Sequence, residues 1–409
     1  MTRSRFIPLA ILLSIMAMIA AVACGSETVE VPVTQIVERE VQVTQVVEVE
    51  KEVEVPVTQV VEKEVEVTKV VVETETVVET EEIEVTKIVE VMVEAPEGPK
   101  ETIVFSDLNW TSAEIQNRIA QYIVEHGYGF PTDVVPGATL PLFQGLRKGD
   151  THVTMEIWLP NQSIGWTEAV ELGEVVSVGK SLVGDWQSTF VIPAYIAEQH
   201  PDLKTPQDLM KPEFQELFAT DDSRGKARLV ACVPGWSCEL VNDEQIETYG
   251  LTDSLYVIKP GSQDAMFAEL FGAYEKQEPW LGYMWGTGDP ALKLDLVLLE
   301  EEPYTQECWD SGKACHFDES LVLIAVNPSL LPRAPEVIGF LQNWEFSIPV
   351  YKPVFQWIDS NPEATRAEAA IWWLENNQDL WSDWVTDEAA ASVMAALDAG
   401  LEAEGWPEE

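Results

Sequence analysis

The sequence predicts an α/β protein whose folded part forms two lobes with a hinge of two crossover strands. From residue 102 onward, short apolar runs alternate with helix-like runs, which is typical of α/β sheets. The chain has 409 residues, and one hydrophobic core seldom serves a chain of that length. Two apolar runs, residues 187–193 and 320–326, stand where the chain would leave the first lobe and return to it.

A short basic start and an apolar run open the chain. Arg3 and Arg5 precede the apolar residues 6–23, and small residues surround Cys24. This arrangement resembles the signal of a bacterial lipoprotein, so residues 1–23 are predicted to be a signal peptide and Cys24 the lipidation site. A simple N-terminal membrane helix is the alternative. With either, the remainder is expected outside the cytoplasmic membrane, anchored to its outer face in the periplasm or at the cell surface.

Residues 24–100 consist mostly of Val, Glu and Thr. The five-residue unit at 31–35 recurs in related form at 41–45, 55–59 and 65–69. Repeats this acidic and this irregular offer little material for a core, and no aromatic residue or glycine-rich turn punctuates them. The prediction is an extended or disordered spacer between the lipid and the folded part. A β-rich or coiled self-associating stalk is the alternative.

The first lobe is assigned to residues 101–192 plus 318–409. Its N-terminal part alternates between apolar and amphipathic runs. These runs predict a strand at 102–105, a helix at 113–127 with Thr111 or Ser112 as N-cap, a strand at 133–135, a helix at 140–148 and a strand at 153–158. Trp110 and Trp158 stand at the ends of two of these strands. Ligands of such sheets bind beyond the carboxyl ends of the strands, so both indoles are expected at a cleft.

The second lobe is assigned to residues 193–317. Its apolar runs predict strands at 227–231, 256–258 and 280–284, with a helix at 265–278 before the last of them. The first of these strands leads into a loop closed by two cysteines, and the last ends at Trp285.

The charge and the motifs of the chain exclude several classes of function. Asp and Glu number 71 against 24 Lys and Arg, which gives a formal net charge of -47. Nucleic-acid binding needs a basic surface, so no nucleic-acid partner is expected. The motifs of serine hydrolases, zinc proteases and phosphate-binding loops do not occur in the sequence. The chain is therefore not predicted to be an enzyme, and no cofactor is expected.

Apart from the predicted lipidation site, four cysteines remain, an even number in an oxidising compartment. Their proximity favours the disulfides Cys232–Cys238 and Cys308–Cys315 over the two other connectivities. A zinc site is the alternative, but the four histidines do not stand at ligand spacings, and only His316 adjoins a cysteine. No metal is expected.

The loop that the first cysteine pair encloses combines features of an anion site and a cation site. Cys232 and Cys238 enclose a Pro-Gly turn with Trp236 at its tip, and a helix-like run follows at once. The backbone N–H groups of Ser237 and Cys238 would begin that helix, where free N–H groups and the helix dipole favour an anion. The indole offers its face to a cation. A disulfide-bonded turn whose Trp fills the core is the alternative.

Three tryptophans, Trp158, Trp236 and Trp285, each end a predicted strand. A quaternary ammonium group has no N–H to donate, so aromatic faces hold it instead, each contributing ~0.5–2 kcal/mol. A single Trp after an apolar strand is more often a packing residue. Three of them around one cleft predict a cage for a methylated cation.

The motif Cys-x-Pro-Gly-Trp-x-Cys at residues 232–238 is similar to a loop in the substrate-binding proteins of ABC importers for glycine betaine and proline betaine. Residues 217–222, residues 157–160 and Trp285 extend this resemblance, which covers about residues 102–404. It implies a type II-like periplasmic-binding-protein fold that closes on its ligand.

The resemblance also implies roles for five residues. Trp158, Trp236 and Trp285 would form the cage around a trimethylammonium group. The backbone N–H groups of Ser237 and Cys238 would hold the ligand's carboxylate.

In two places the sequence departs from the family that it resembles. Gln162 stands where some members have a His that contacts the carboxylate, and Gln can still donate a hydrogen bond. Residues 286–288, Gly-Thr-Gly, replace a bulkier and more aromatic continuation. Both departures leave room for another ligand. Trp110 is either a fourth ring of the cage or a structural residue.

As a function, the resemblance implies a monomeric receptor domain that captures a small zwitterion and delivers it to the permease and ATPase subunits of an ABC importer. Glycine betaine is the expected ligand, and proline betaine, choline, carnitine and ectoine-like zwitterions remain open. Two other classes are weighed against it. A secreted two-lobed hydrolase also suits a cleft, and a structural surface protein also suits the long spacer.

Overall fold

The computed structural model describes residues 99–183, 188–317 and 321–408. The predicted signal peptide, Cys24 and the predicted spacer up to residue 98 lie outside these ranges. None of the helices within the described ranges is long and apolar enough to cross a membrane.

Strands and helices alternate along most of the described chain, as the apolar pattern predicts. In chain order, the strands are β1 (Ile103–Leu108), β2 (Thr132–Gly137), β3 (Val153–Leu159), β4 (Val176–Lys180), β5 (Leu182–Val183), β6 (Ser188–Pro193), β7 (Ala227–Val230), β8 (Leu255–Ile258), β9 (Gly282–Trp285), β10 (Leu296–Leu298), β11 (Leu321–Val326) and β12 (Phe346–Ser347). The α-helices are α1 (Thr111–Tyr128), α2 (Thr139–Lys148), α3 (Ser163–Glu171), α4 (Ala194–Gln199), α5 (Pro212–Phe218), α6 (Ser237–Thr248), α7 (Gln263–Lys276), α8 (Asp289–Lys293), α9 (Gln306–Asp310), α10 (Pro335–Asn343), α11 (Ile348–Ser360), α12 (Arg366–Asn376), α13 (Gln378–Trp381) and α14 (Asp387–Asp398).

The first sheet has five strands in the order β2-β1-β3-β11-β4. Strand β1 runs parallel to β2 and β3, whereas β11 runs antiparallel to β3 and β4. The first six residues of β3, the central strand of this sheet, are all buried. Helix α1 packs against this sheet and also against α12 and α14, which carries the C-terminal part of the chain onto the first lobe.

The second sheet also has five strands, in the order β10-β6-β9-β7-β8. Strands β7, β8 and β9 are parallel, and β6 is antiparallel to its neighbours β9 and β10. A third sheet consists of the short parallel pair β12 and β5. Two mixed five-stranded sheets with covering helices confirm the predicted two-lobed α/β fold.

The two passages between the sheets, residues 184–187 and 318–320, lie outside the described ranges. Strand β6 pairs along its length with strands of the second sheet, and β11 pairs with strands of the first. The lobe boundaries at residues 192 and 193 and at residues 317 and 318 stay predictions.

The start of α1 differs from its prediction. The helix begins at Thr111, two residues earlier than predicted, so Thr111 and Ser112 lie inside it and the N-cap prediction is wrong. Trp110 occupies the N-cap without a side-chain hydrogen bond. The side chain of Gln263, from the second lobe, instead accepts the N–H of Thr111 at 3.3 Å. A contact between lobes replaces the local cap that the sequence favours.

Both predicted disulfides are present. Cys232 and Cys238 have Cα atoms 5.8 Å apart, and Cys308 and Cys315 have Cα atoms 6.4 Å apart. The zinc alternative needs a free thiolate at Cys315 beside His316, and the disulfide removes it.

Candidate functional site

A cavity of about 370 Å³, including its open mouth, has walls from both lobes. Its lining is dominated by indole rings and small polar groups: Trp110, Thr139, Trp158, Asn161, Trp236, Ser237, Cys238, Tyr283 and Trp285. Trp158 lies on a strand of the first sheet, Tyr283 and Trp285 lie on a strand of the second, and the other six belong to the loops and helices that follow strands of these sheets.

The loop between β7 and α6 forms one side of the cavity. Its turn needs glycine, because Gly235 has φ +85° and an added Cβ would lie 2.9 Å from Cβ of Ala138. The side chain of Glu239 accepts the N–H of Gly235 at 2.8 Å, and the side chain of Asn242 accepts that of Cys232 at 3.0 Å. The disulfide and these two bonds hold the loop against the helix that follows it.

The first residues of α6 give the cavity a place for negative charge. Ser237 and Cys238 line the cavity at the N-terminus of this 12-residue helix. Among the described residues, neither backbone N–H has an acceptor. Free N–H groups at the positive end of a helix dipole favour an anion. The binding of an anion at these two N–H groups stays a prediction.

Trp236 lies between two other indoles. Its ring meets that of Trp110 edge to face at 5.1 Å between centroids, and that of Trp285 edge to face at 5.5 Å. The ring of Trp285 also contacts two further rings, that of Phe267 at 5.4 Å and that of Tyr283, which stacks on it at 6.2 Å. Rings from separate elements thus support one another and present a largely aromatic wall to the cavity.

Glu156 orients the two indoles of the first lobe. Its Oε2 accepts the Nε1–H of Trp110 at 2.7 Å and that of Trp158 at 2.8 Å, and its Oε1 accepts an amide N–H of Gln116 at 2.6 Å. The side chain is 1% exposed. Burial raises the pKa of the Glu156 carboxyl, and hydrogen bonds from Trp158, Trp110, Ser112 and Gln116 act against that rise.

The structure brings together six of the seven residues predicted from the sequence to bind ligand: Trp110, Trp158, Trp236, Trp285, Ser237 and Cys238. Gln162 is the exception, since it is not part of the described cavity lining and its Oε1 accepts the backbone N–H of Trp158 at 3.0 Å. Its predicted contact with a ligand carboxylate stays a prediction, as do the ligand contacts of the other six.

Sequence reasoning missed several residues of the site: Asn109, Thr139, Glu156, Asn161 and Tyr283. One signal for Glu156 was available, because it is the only charged residue in an otherwise buried apolar strand. Tyr283 stands two residues before Trp285 and therefore on the same side of β9, which was a second signal. Burial raises the pKa of the Tyr283 hydroxyl to about 12, so that it stays neutral.

Two α/β lobes around an aromatic cavity define the class of solute-binding proteins. Residues 101–376 match the family described as the substrate-binding domain of ABC-type glycine betaine transport systems. The chain belongs to this family, so it is a binding protein of an ABC transport system and not an enzyme.

Two curated proteins and one solved structure place the chain among its relatives. It is 25% identical over 288 residues to a trimethylamine N-oxide-binding protein of Pelagibacter ubique, which covers 69% of this chain and 90% of that protein. It is 29% identical over 143 residues to a glycine betaine/proline betaine-binding periplasmic protein of Escherichia coli, which covers 35% of this chain and 42% of that one. A glycine betaine/L-proline-binding protein from Borrelia burgdorferi shares the fold, with a TM-score of 0.58 at 17% identity over 71% of this chain and 99% of that one.

Proposed function

We propose that this protein is an exported, lipid-anchored receptor that captures a compact trimethylammonium zwitterion, glycine betaine, for an ABC importer. One observation carries the proposal: four indoles from both lobes line a cavity that also contains the N-terminus of α6. The chain contributes the capture step, and a separate permease and ATPase move the ligand across the membrane. The membrane anchor at Cys24 and a monomeric receptor domain belong to the same proposal.

The cavity suits both charges of such a ligand. A trimethylammonium group donates no N–H hydrogen bond, so the faces of Trp158, Trp236 and Trp285 hold it, at ~0.5–2 kcal/mol per ring. The free N–H groups of Ser237 and Cys238 donate hydrogen bonds to the negative end. Because the walls come from two lobes, a bound ligand bridges them and favours their closed arrangement.

Trimethylamine N-oxide is the second candidate ligand. The relative that binds it, according to its name, aligns over 90% of its own length, whereas the glycine betaine relative aligns over 42%. The N-oxide oxygen is bonded directly to the nitrogen, so it carries the same two charges in a smaller volume. Both candidates need the cage and the helix N-terminus, and choline needs only the cage.

Calorimetric titration of the purified protein tests the proposal. Glycine betaine, trimethylamine N-oxide, choline and carnitine are titrated, with glycine and proline as amino acids that lack a trimethylammonium group. We expect glycine betaine or trimethylamine N-oxide to bind ~10-fold more tightly than choline, because an anion at a partly buried helix N-terminus contributes up to ~2 kcal/mol and a factor of ten needs ~1.4 kcal/mol. Tight binding of glycine or proline with no binding of any methylated ligand would overturn the proposal.

A further inference from the structure

Glu156 lies behind the cage and outside the described cavity lining. It stands on β3, two residues before Trp158, and one of its oxygens accepts the indole N–H of both Trp158 and Trp110. An indole N–H can only donate. The carboxylate therefore fixes the rotation of two rings that line the cavity.

The third donor to Glu156 is also fixed in orientation. The side-chain oxygen of Gln116 accepts the hydroxyl of Ser181 at 2.9 Å and the indole N–H of Trp344 at 3.1 Å. These two donors determine which end of the amide is oxygen, so its NH₂ group faces Glu156. Three groups that can only donate thus face the carboxylate, and these contacts favour its ionised form, which can only accept, against the rise in pKa that burial causes.

The groups that hydrogen-bond Glu156 are all uncharged: two indoles, one amide and the hydroxyl of Ser112. A negative charge held by neutral donors in a buried site acts at longer range than it would in water. Its hydrogen bonds also polarise both indoles, which makes their faces more negative. A cation in the cavity is attracted by the carboxylate and by the polarised rings, whereas a neutral molecule of the same shape is not.

We propose that ionised Glu156 is a positioning residue that aligns the indoles of Trp110 and Trp158 and gives the cavity its preference for a cation over a neutral molecule of equal shape. This inference rests on the proposed function and deepens it. It assigns cation selectivity to a side chain behind the walls and shape recognition to the walls themselves.

Pairs of probes that differ only in charge test the proposal. In 3,3-dimethylbutanoate a carbon replaces the nitrogen of glycine betaine, and in 3,3-dimethylbutan-1-ol a carbon replaces the nitrogen of choline. Affinities for both pairs are measured with the full-length parent, with Glu156→Gln and with Glu156→Asp. Glu269→Gln is the matched control, because the Glu269 carboxylate also accepts an indole N–H, that of Trp280, outside the cavity lining.

We expect Glu156→Gln to weaken binding of choline roughly tenfold and to change binding of the neutral 3,3-dimethylbutan-1-ol by less than about threefold, since the charge is lost and the shape is kept. In the other pair the ligand is a zwitterion and its isostere an anion, so Glu156→Gln should weaken binding of glycine betaine but not that of 3,3-dimethylbutanoate. The ratio of the two affinities should stay at the parent value in Glu269→Gln. Glu156→Asp keeps the charge but shortens the side chain, so both affinities should fall while the ratio is kept. This second variant decides the matter if Glu156→Gln does not fold.

The possible results distinguish a failure of the proposed function from a failure of the role proposed for Glu156. If the parent binds neither glycine betaine nor choline, the proposed function itself fails. If the parent binds one and Glu156→Gln has the parent's ratio of cation to isostere, Glu156 does not supply the selectivity. Loss of that ratio in Glu156→Asp would overturn the proposal equally.

Discussion

The indole nitrogen of Trp236 donates a hydrogen bond to the side-chain oxygen of Asn109 over 2.7 Å. Trp236 belongs to the second lobe and Asn109 follows β1 of the first, so one lobe orients a cage wall of the other. Gln263 and Thr111 form a second link of this kind, at 2.7 Å between the amide nitrogen and the hydroxyl oxygen. These bonds exist only while the lobes are together, and they stabilise the arrangement that encloses the cavity.

Replacing Asn109 with Ala should lower ligand affinity without removing any described part of the cavity lining. One hydrogen bond between lobes contributes about 0.5–1.5 kcal/mol, so the dissociation constant should rise ~2–12-fold. Calorimetric titration measures it. Asn343→Ala is the control, because Asn343 donates to the backbone oxygen of Trp384 at 3.2 Å within the first lobe. Equal affinity of Asn109→Ala and the parent would show that this bond does not support closure.

Replacing Trp236 with Ala should have a larger effect. The substitution removes a wall that touches both Trp110 and Trp285, and we expect a loss of ~1–3 kcal/mol in binding free energy. Trp357→Ala is the matched control, since Trp357 stacks on Trp372 outside the described cavity lining. Unchanged affinity in Trp236→Ala, measured by the same titration, would remove the cage from the binding mechanism.

The three indoles of the cage could be predicted because each adjoins a pattern that is recognisable in the local sequence. Trp158 and Trp285 follow apolar strands, and Trp236 stands between two cysteines beside a helix start. In a parallel sheet these signals are sufficient, because strand ends meet at one edge. The three indoles accordingly line one cavity.

The supports behind the walls could not be predicted in this way. Glu156 joins Trp110 over 46 residues of sequence, and Asn109 joins Trp236 over 127. The first pair depends on β1 and β3 lying side by side in one sheet, and the second on how the two sheets face each other. No local period or spacing contains that information. Gln162 shows the same limit, because its side chain turns back to the backbone of Trp158.

The Cys232–Cys238 disulfide should matter for affinity as well as stability. Closing so short a loop contributes about 2 kcal/mol to stability in the chain-entropy account. The loop also carries Trp236 and leads directly into Ser237, so its loss should loosen the cage and the anion site together. Replacement of both cysteines with Ser should therefore lower the melting temperature and weaken binding.

The second disulfide is the matched control for the first. Cys308 and Cys315 close a loop of nearly the same length, and neither residue is in the described cavity lining. Their double replacement with Ser should lower the melting temperature to a similar degree and leave the dissociation constant close to the parent value. Equal losses of affinity in the two double variants would mean that general destabilisation weakens binding.

Glu301 should make the stability of the protein depend on pH. Its carboxylate accepts the hydroxyls of Thr189 and Tyr249 at 2.5 Å each, and an amide N–H of Gln245 at 3.2 Å. Gln245 lies in the last turn of α6 and Tyr249 directly follows that helix, whereas Thr189 lies on β6. Glu301 therefore links α6 to β6. Burial raises the pKa of the Glu301 carboxyl from an ordinary 4.5 to about 7.

The sign of the effect follows from which state holds the proton. Between pH 4.5 and about 7, the folded protein binds a proton at Glu301 that the unfolded chain does not bind. This stabilisation is complete below pH 4.5, the pKa of the carboxyl in the unfolded chain. It is lost as the pH rises through about 7, the pKa of the carboxyl in the folded protein. Glu301→Gln is a neutral mimic that does not titrate, so its melting temperature should fall less than that of the parent between pH 5 and pH 8. Glu345→Gln alters an exposed carboxyl and should follow the parent. Parallel pH curves for parent and Glu301→Gln would show that another group governs the acid side of the stability profile.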